Sequence, residues 1–123
     1  MERRRFQKGF RQVVPMSKYN AKQITVDGIT FDSKKEAKRY TELKLLERAG
    51  KITGLELQPE FELQPAFDKD GKHYRKITYK ADFRYIEDGQ HIVEDVKGYR
   101  TDVYKLKKKL FEYKYKGLTI KEL

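Results

Sequence analysis

Between Ile77 and Lys97 the chain reads as two alternating runs around Asp88-Gly89, and that turn constrains the fold more than any other feature. Asp-Gly between strand-like runs signals a two-residue hairpin. Both central positions need left-handed backbone, which Gly adopts freely and Asp tolerates. With Asp88 and Gly89 at the centre, Glu87 is set opposite Gln90, Arg84 opposite Val93, and Asp82 opposite Asp95. Directly opposed residues hold their Cβ atoms about 4.5–5.5 Å apart. Lys97 follows Asp95 by two, so strand periodicity gives it the same face. The other face, with Ala81, Phe83, Tyr85, Ile92 and Val96, is expected to be the core side.

Two opposed carboxylates destabilise a sheet unless something positive lies between them. Hard oxygen ligands, no Cys and no paired His point to Mg²⁺ or Mn²⁺ rather than zinc. The plainer alternative is an exposed hairpin whose charges are screened by water and neighbouring lysines. Glu36 is a further candidate. A helical wheel puts it between Tyr40 and Leu43, on the face expected to meet the sheet. It also stands three residues after Ser33, so a capping box explains it equally well.

The rest of the chain supplies the frame. The first 22 residues carry Arg3, Arg4, Arg5, Lys8, Arg11, Lys18 and Lys22 against the single acid Glu2. They read as a flexible basic arm for non-specific phosphate contacts. Met16 also looks like a natural start, which would make residues 1–15 an upstream extension. Residues 23–123 read as a single domain. It opens with a hairpin, Ile24 to Phe31, around Asp27-Gly28. Ser33 opens a helix to about Ala49, and Gly50 stops it. Leu55 to Leu63 alternates with period two, and Pro59 marks an edge or a bulge. Asp70-Gly71 is a turn. Thr101 caps a second helix to about Tyr115, and Leu118 to Leu123 form a last strand. In that second helix the stripe Val103, Leu106, Leu110 and Tyr113 is expected to be core. Tyr104, Phe111 and Tyr115 form a second stripe suited to core or dimer packing.

Composition narrows the partners. The 123 residues carry 29 Lys and Arg against 19 Asp and Glu, a formal charge of +10. A small domain this basic repels itself unless a polyanion compensates, so the expected partner is nucleic acid. Hydrophobic residues reach 37%, enough for one core that leans on nine Tyr and seven Phe beside no Trp. The absence of Cys excludes disulfides, thiol nucleophiles and Cys-based zinc sites. His73 and His91 read as ordinary strand residues. No apolar run suits a membrane span or a secretion signal, so the expected place is the cytoplasm, that of the host if the chain is phage-encoded. Arg100, Lys105, Lys107, Lys108, Lys109, Lys114 and Lys116 face only Asp102 and Glu112 on the second helix segment. A basic helix following Lys97 would steer a phosphate backbone toward the acids.

Asp82, then Asp95-Val96-Lys97 after a hairpin-length gap, resembles the PD-(D/E)xK nuclease signature. The preceding helix with Glu36 and the strand Tyr79-Lys80-Ala81-Asp82-Phe83 fit the same pattern. Lys18 to Leu123 also resembles a small phage protein family assigned to that superfamily, chiefly through Val26 to Leu46 and Ile92 to Tyr115. The resemblance implies an α/β (α+β), restriction-endonuclease-like core: a central mixed sheet flanked by helices, in the order β-hairpin, α, three strands, α, β. It implies Mg²⁺-dependent phosphodiester hydrolysis. Asp82 and Asp95 would hold the metal, Glu36 would be an auxiliary acid, and Lys97 would orient water or stabilise phosphorane charge. Ala81 stands where the signature has proline. The second helix lacks the Gln of exonuclease-type relatives, which favours lysine contacts with DNA through Arg100, Lys105, Lys107, Lys108 and Lys109. The expected activity is that of a phage DNA endonuclease in recombination, repair or processing. Cutting two strands would call for a homodimer. The alternatives are a non-catalytic nucleic-acid-binding protein on the same fold and a small interaction protein with a basic surface.

Overall fold

The computed structural model describes residues 23–96 and 100–123. The basic arm at residues 1–22 lies outside the described residues. By its internal contacts the chain divides into two compact units, Met1–Thr41 and Glu42–Leu123. The helix α1 (Lys34–Arg48) carries the boundary.

In the first unit, strands β1 (Ile24–Val26) and β2 (Ile29–Phe31) pair antiparallel, Val26 opposite Ile29. Asp27 and Gly28 both take positive φ, 53° and 76°, as a tight hairpin turn requires. Thr25 and Thr30 join their hydroxyls across the strands at 3.1 Å. Ser33 caps α1, its Oγ accepting from the Glu36 amide at 3.1 Å. The Tyr40 hydroxyl donates to Asp27 at 3.0 Å, and its ring lies 5.0 Å from that of Phe31. Turn, strand and helix are thereby tied together, with Phe31, Ala37 and Tyr40 buried.

The second unit is built on one long antiparallel pair that bends. Strands β3 (Thr53–Leu57) and β4 (Glu60–Gln64) run out. The short strands β5 (Phe67–Lys69) and β6 (Lys72–Tyr74) turn at Asp70-Gly71. Strands β7 (Ile77–Lys80) and β8 (Phe83–Glu87) run back. Leu57 pairs with Phe83 and Glu60 with Lys80, so the register passes through the bend unchanged. Gln58 makes the bend in a left-handed conformation (φ 50°) just before Pro59, which has no amide to donate. Backbone bonds from Gln58 to Asp82 (2.9 Å) and from Ala81 to Pro59 (3.1 Å) hold it. Strand β9 (Gln90–Asp95) then pairs with β8, with Glu87 opposite Gln90 and Arg84 opposite Val93. This is the register that Asp88-Gly89 requires. After α2 (Asp102–Lys114), β10 (Ile120–Glu122) returns parallel to β9. The main sheet is mixed, in the order β10-β9-β8-β3. The architecture is therefore α+β, with a mixed sheet and two helices among the described residues.

Three sequence expectations need correction. Among the described residues seven strands, not three, lie between the helices, because the alternating runs 55–63 and 77–86 each break at the bend and the short pair β5–β6 forms between them. The face opposite Phe83 and Tyr85 is not an open side for the acids. Val93 is fully buried there, in a cluster with Phe61, Tyr79, Ala81, Tyr104, Phe111 and Ile120. The sheet is thus buried on both faces at β9, and the bend moves Tyr79 and Ala81 away from the face of Phe83 and Tyr85. Finally, α2 presents its second stripe inward. Phe111 sits among the rings of Phe61, Tyr79 and Tyr115, with centroids 4.9, 5.4 and 5.1 Å away. Val103, Leu106, Leu110 and Tyr113, expected as core, are exposed. Three large rings bury more apolar area than the aliphatic stripe and fit edge-to-face against the β4–β7 pair. No helix among the described residues is long and apolar enough to cross a membrane.

Candidate active site

Asp82 stands in the bend between β7 and β8, and Asp95 ends β9. The ladder's last pair is Phe83 with Glu94, so Asp82 and Asp95 are next in register. There the ladder loosens. The Asp82 amide donates to the Glu94 carbonyl at 3.1 Å, one residue short of Asp95. The Asp82 carboxylate accepts the Val96 amide at 2.7 Å, so it reaches across to the residue after Asp95. Asp95 is fully buried and accepts a hydrogen bond from the Tyr79 hydroxyl.

That hydroxyl is a local probe of both acids. Burial pushes Tyr79 far above the ordinary tyrosine range. Its bond to Asp95 adds to this, and the charges of Asp95 and Asp82 add further. Both carboxylates therefore lie within electrostatic reach of one phenol, on the side of the sheet covered by α2. Tyr79 remains a neutral donor at any working pH. Its role is to hold Asp95 in place rather than to move protons.

A second tyrosine extends the cluster. The Tyr104 hydroxyl donates to Glu122 at 2.6 Å, and Arg100 Nε lies 3.2 Å from the same carboxylate. Burial first, then this bond, then the charge of Asp95 raise Tyr104 well above its usual range. Glu122 is held below the usual carboxylate range, mainly by the Tyr104 hydroxyl and with help from Arg100. The Leu123 amide donates to the Asp95 carbonyl at 3.0 Å, which ties β10 to the same place.

Among the expected site residues, Asp82 and Asp95 are brought together. Lys97 lies outside the described residues. Glu36 belongs to the first unit, where it is buried in the first turn of α1 beside its cap Ser33. Arg100, Lys105, Lys108 and Lys109 line one shallow pocket of about 340 Å³ together with Glu112 and Glu122. Lys107 is half-buried and does not line it. Lys108 is paired with Glu112 at 3.2 Å. Among the described residues, no three His, Cys, Asp or Glu side chains gather closely enough to hold a metal ion. Two oxygen-donor carboxylates still suit Mg²⁺. That ion keeps several waters and is commonly held by one or two carboxylates plus substrate phosphate.

Sequence reasoning missed Tyr79, Tyr104, Glu94 and Glu122. Glu94 is fully buried on the opposite face, where it accepts from the Tyr85 hydroxyl. Its signal was present, since an acid inside the run Ile92-Val93-Glu94 needs a buried partner. Alternation placed Tyr79 and Tyr85 inside but gave no reason to aim their hydroxyls at acids.

No curated protein and no solved structure gave a match. A family described as a protein of unknown function, DUF1064, matches residues 16–122. The chain therefore belongs to the DUF1064 family.

Proposed function

We propose that this protein is a divalent-metal-dependent phosphodiesterase of the PD-(D/E)xK type, acting as an endonuclease on DNA. One observation carries the reading. Asp82 stands at the bend of the long hairpin and Asp95 beside it on β9; the Asp82 carboxylate accepts the Val96 amide, and the fully buried Asp95 accepts the Tyr79 hydroxyl. Asp95 is fully buried and Asp82 half-buried, and adjacent acids with reduced solvent repel, which a hard cation compensates best.

Asp82 and Asp95 would hold Mg²⁺ or Mn²⁺. Such an ion supplies a water of lowered pKa and Lewis-acid relief for the phosphoryl oxygens. The chain's own groups do the rest. The Val96 amide and the Tyr79 hydroxyl fix the two carboxylates in orientation. Lys97, two residues after Asp95, would bring its ammonium to charge that develops in the transition state. Arg100, Lys105 and Lys109 would draw the phosphate backbone toward the acids, in keeping with the +10 charge of the chain.

The direct experiment incubates the purified protein with plasmid and linear DNA in Mg²⁺, in Mn²⁺ and in EDTA, beside Asp95→Asn. Metal-dependent cleavage that Asp95→Asn abolishes is the expected result. DNA binding without cleavage by the wild-type protein in any metal would leave a binding protein on the same fold.

A further inference from the structure

The turn of the long hairpin forms an arm unlike the rest of the second unit. Every residue from 64 to 77 is exposed. Strands β5 and β6 bond only to each other among the described strands, and an isolated two-stranded ribbon is marginal in water. Its pairs sort by face. Phe67 is opposite Tyr74 and Lys69 opposite Lys72, and strand alternation puts these four on one face. The rings stack with centroids 4.7 Å apart and planes 9° apart, and Lys72 Nζ lies 5.1 Å from the centre of the Tyr74 ring. The other face carries Asp68 opposite His73, joined at 2.8 Å. The aromatic face thus has two lysines and no acid, and Arg75 and Lys76 follow at once.

Among the described residues two costs remain on that face beyond the ring stack and the contact of Lys72 with Tyr74. Lysines directly opposed repel. Two large rings remain 41% and 39% exposed. A single ligand chemistry relieves both. Phosphates neutralise the lysines, while bases stack on the rings, and stacking is tolerant of sequence because every base has a flat face. We propose that the β5–β6 arm is a nucleic-acid contact that stacks unpaired bases on Phe67 and Tyr74 and seats the flanking phosphates on Lys69 and Lys72. The proposal rests on the nucleic-acid reading of the site above and adds where the strand lies. Tyr74 is eight residues and Lys72 ten residues from Asp82, so at about 3.3 Å per residue they lie at most roughly 26 Å and 33 Å from it along the strand. Bases that stack on the rings must be unstacked from their neighbours, so the segment in contact is single-stranded or branched.

The test uses the full chain in EDTA, so that nothing is cut, with fluorescence anisotropy of a labelled single-stranded oligonucleotide and of its duplex. Phe67→Ala/Tyr74→Ala is expected to weaken single-strand binding about tenfold and duplex binding much less. Lys69→Gln/Lys72→Gln leaves the ring pair in place. It is expected to weaken both and to lower the slope of log affinity against log salt by about 1–2. Tyr74→Phe keeps the ring and is expected to bind like wild type. Since all these side chains are exposed, melting temperatures should stay close to wild type. Wild-type binding that both double variants leave unchanged overturns the arm contact while the site's nucleic-acid reading stands. A wild-type protein that binds neither oligonucleotide overturns both.

Discussion

Asp82 and Asp95, where the bend of the long hairpin meets β9, and Lys69 and Lys72, at the hairpin's tip, are both pairs of like charge placed across from each other. The fold treats them differently. Asp95 is fully buried and the acids are held by a phenol and a backbone amide. The lysines are exposed on a ribbon that, among the described strands, pairs only with itself. Exposed like charges cost a few tenths of a kcal/mol, which water and salt reduce further. Buried like charges cost far more, and their persistence requires organised compensation. A chain keeps the second arrangement only where geometry matters, and uses the first where attraction is enough.

The sharpest way to break this contrast is to remove one acid. Asp82→Asn or Asp95→Asn should lower Mg²⁺-dependent cleavage by more than about 10², beyond the roughly 10–100-fold that losing an outer-shell partner costs. Cleavage at the wild-type rate in either variant would reduce the acid pair to a structural feature. Next comes Lys97→Ala, expected to slow cleavage by about 10² while leaving DNA affinity nearly intact, since it is one cation among 29 Lys and Arg. Equal rates would remove it from the mechanism. Tyr79→Phe keeps the ring and deletes the bond to Asp95. The Mg²⁺ concentration for half-maximal cleavage should rise about tenfold, and stability should fall by about 1–2 kcal/mol in denaturant titrations. An unshifted metal dependence would show that Tyr79 serves packing alone.

The smallest expected effect concerns pH. The Tyr104 hydroxyl holds Glu122 below the usual carboxylate range. A depressed carboxylate adds stability that is fully present above its ordinary value and lost as pH falls through the lowered one. The stability difference between wild type and Tyr104→Phe should therefore shrink as pH falls from neutral into the acid range. Glu122 is partly exposed, so solvent screening keeps the change small. A difference that stays constant with pH would mean the hydroxyl acts through packing rather than through the charge on Glu122.

How much was legible follows from what fixes each element. The Asp88-Gly89 turn, with φ of 51° and 77°, admits one register, so the juxtaposition of Asp82 and Asp95 could be read from spacing. The caps Ser33 and Thr101 were equally local signals, and each accepts the amide three residues on. The bend was not legible as such. Alternation runs through it without a fault, and only Pro59 hinted that Gln58 turns left-handed. The buried face of α2 was ambiguous because the helix carries two apolar stripes. Periodicity cannot say which one meets the sheet; ring packing around Phe111 decides it. The arm escaped notice because Phe67 to Lys69 and Lys72 to Tyr74 lack the apolar alternation that marks a half-buried strand.

Strand β9 is hydrogen-bonded on both sides, by β8 and by β10, and its residues Val93, Glu94 and Asp95 are fully buried. Its amides should exchange with solvent only when the whole unit opens, whereas those of the arm should exchange through local opening at little free-energy cost. Two clocks then run in one unit. The tip samples conformations quickly enough to accommodate irregular strands as they arrive. Asp95 stays in its one arrangement for as long as the unit remains folded.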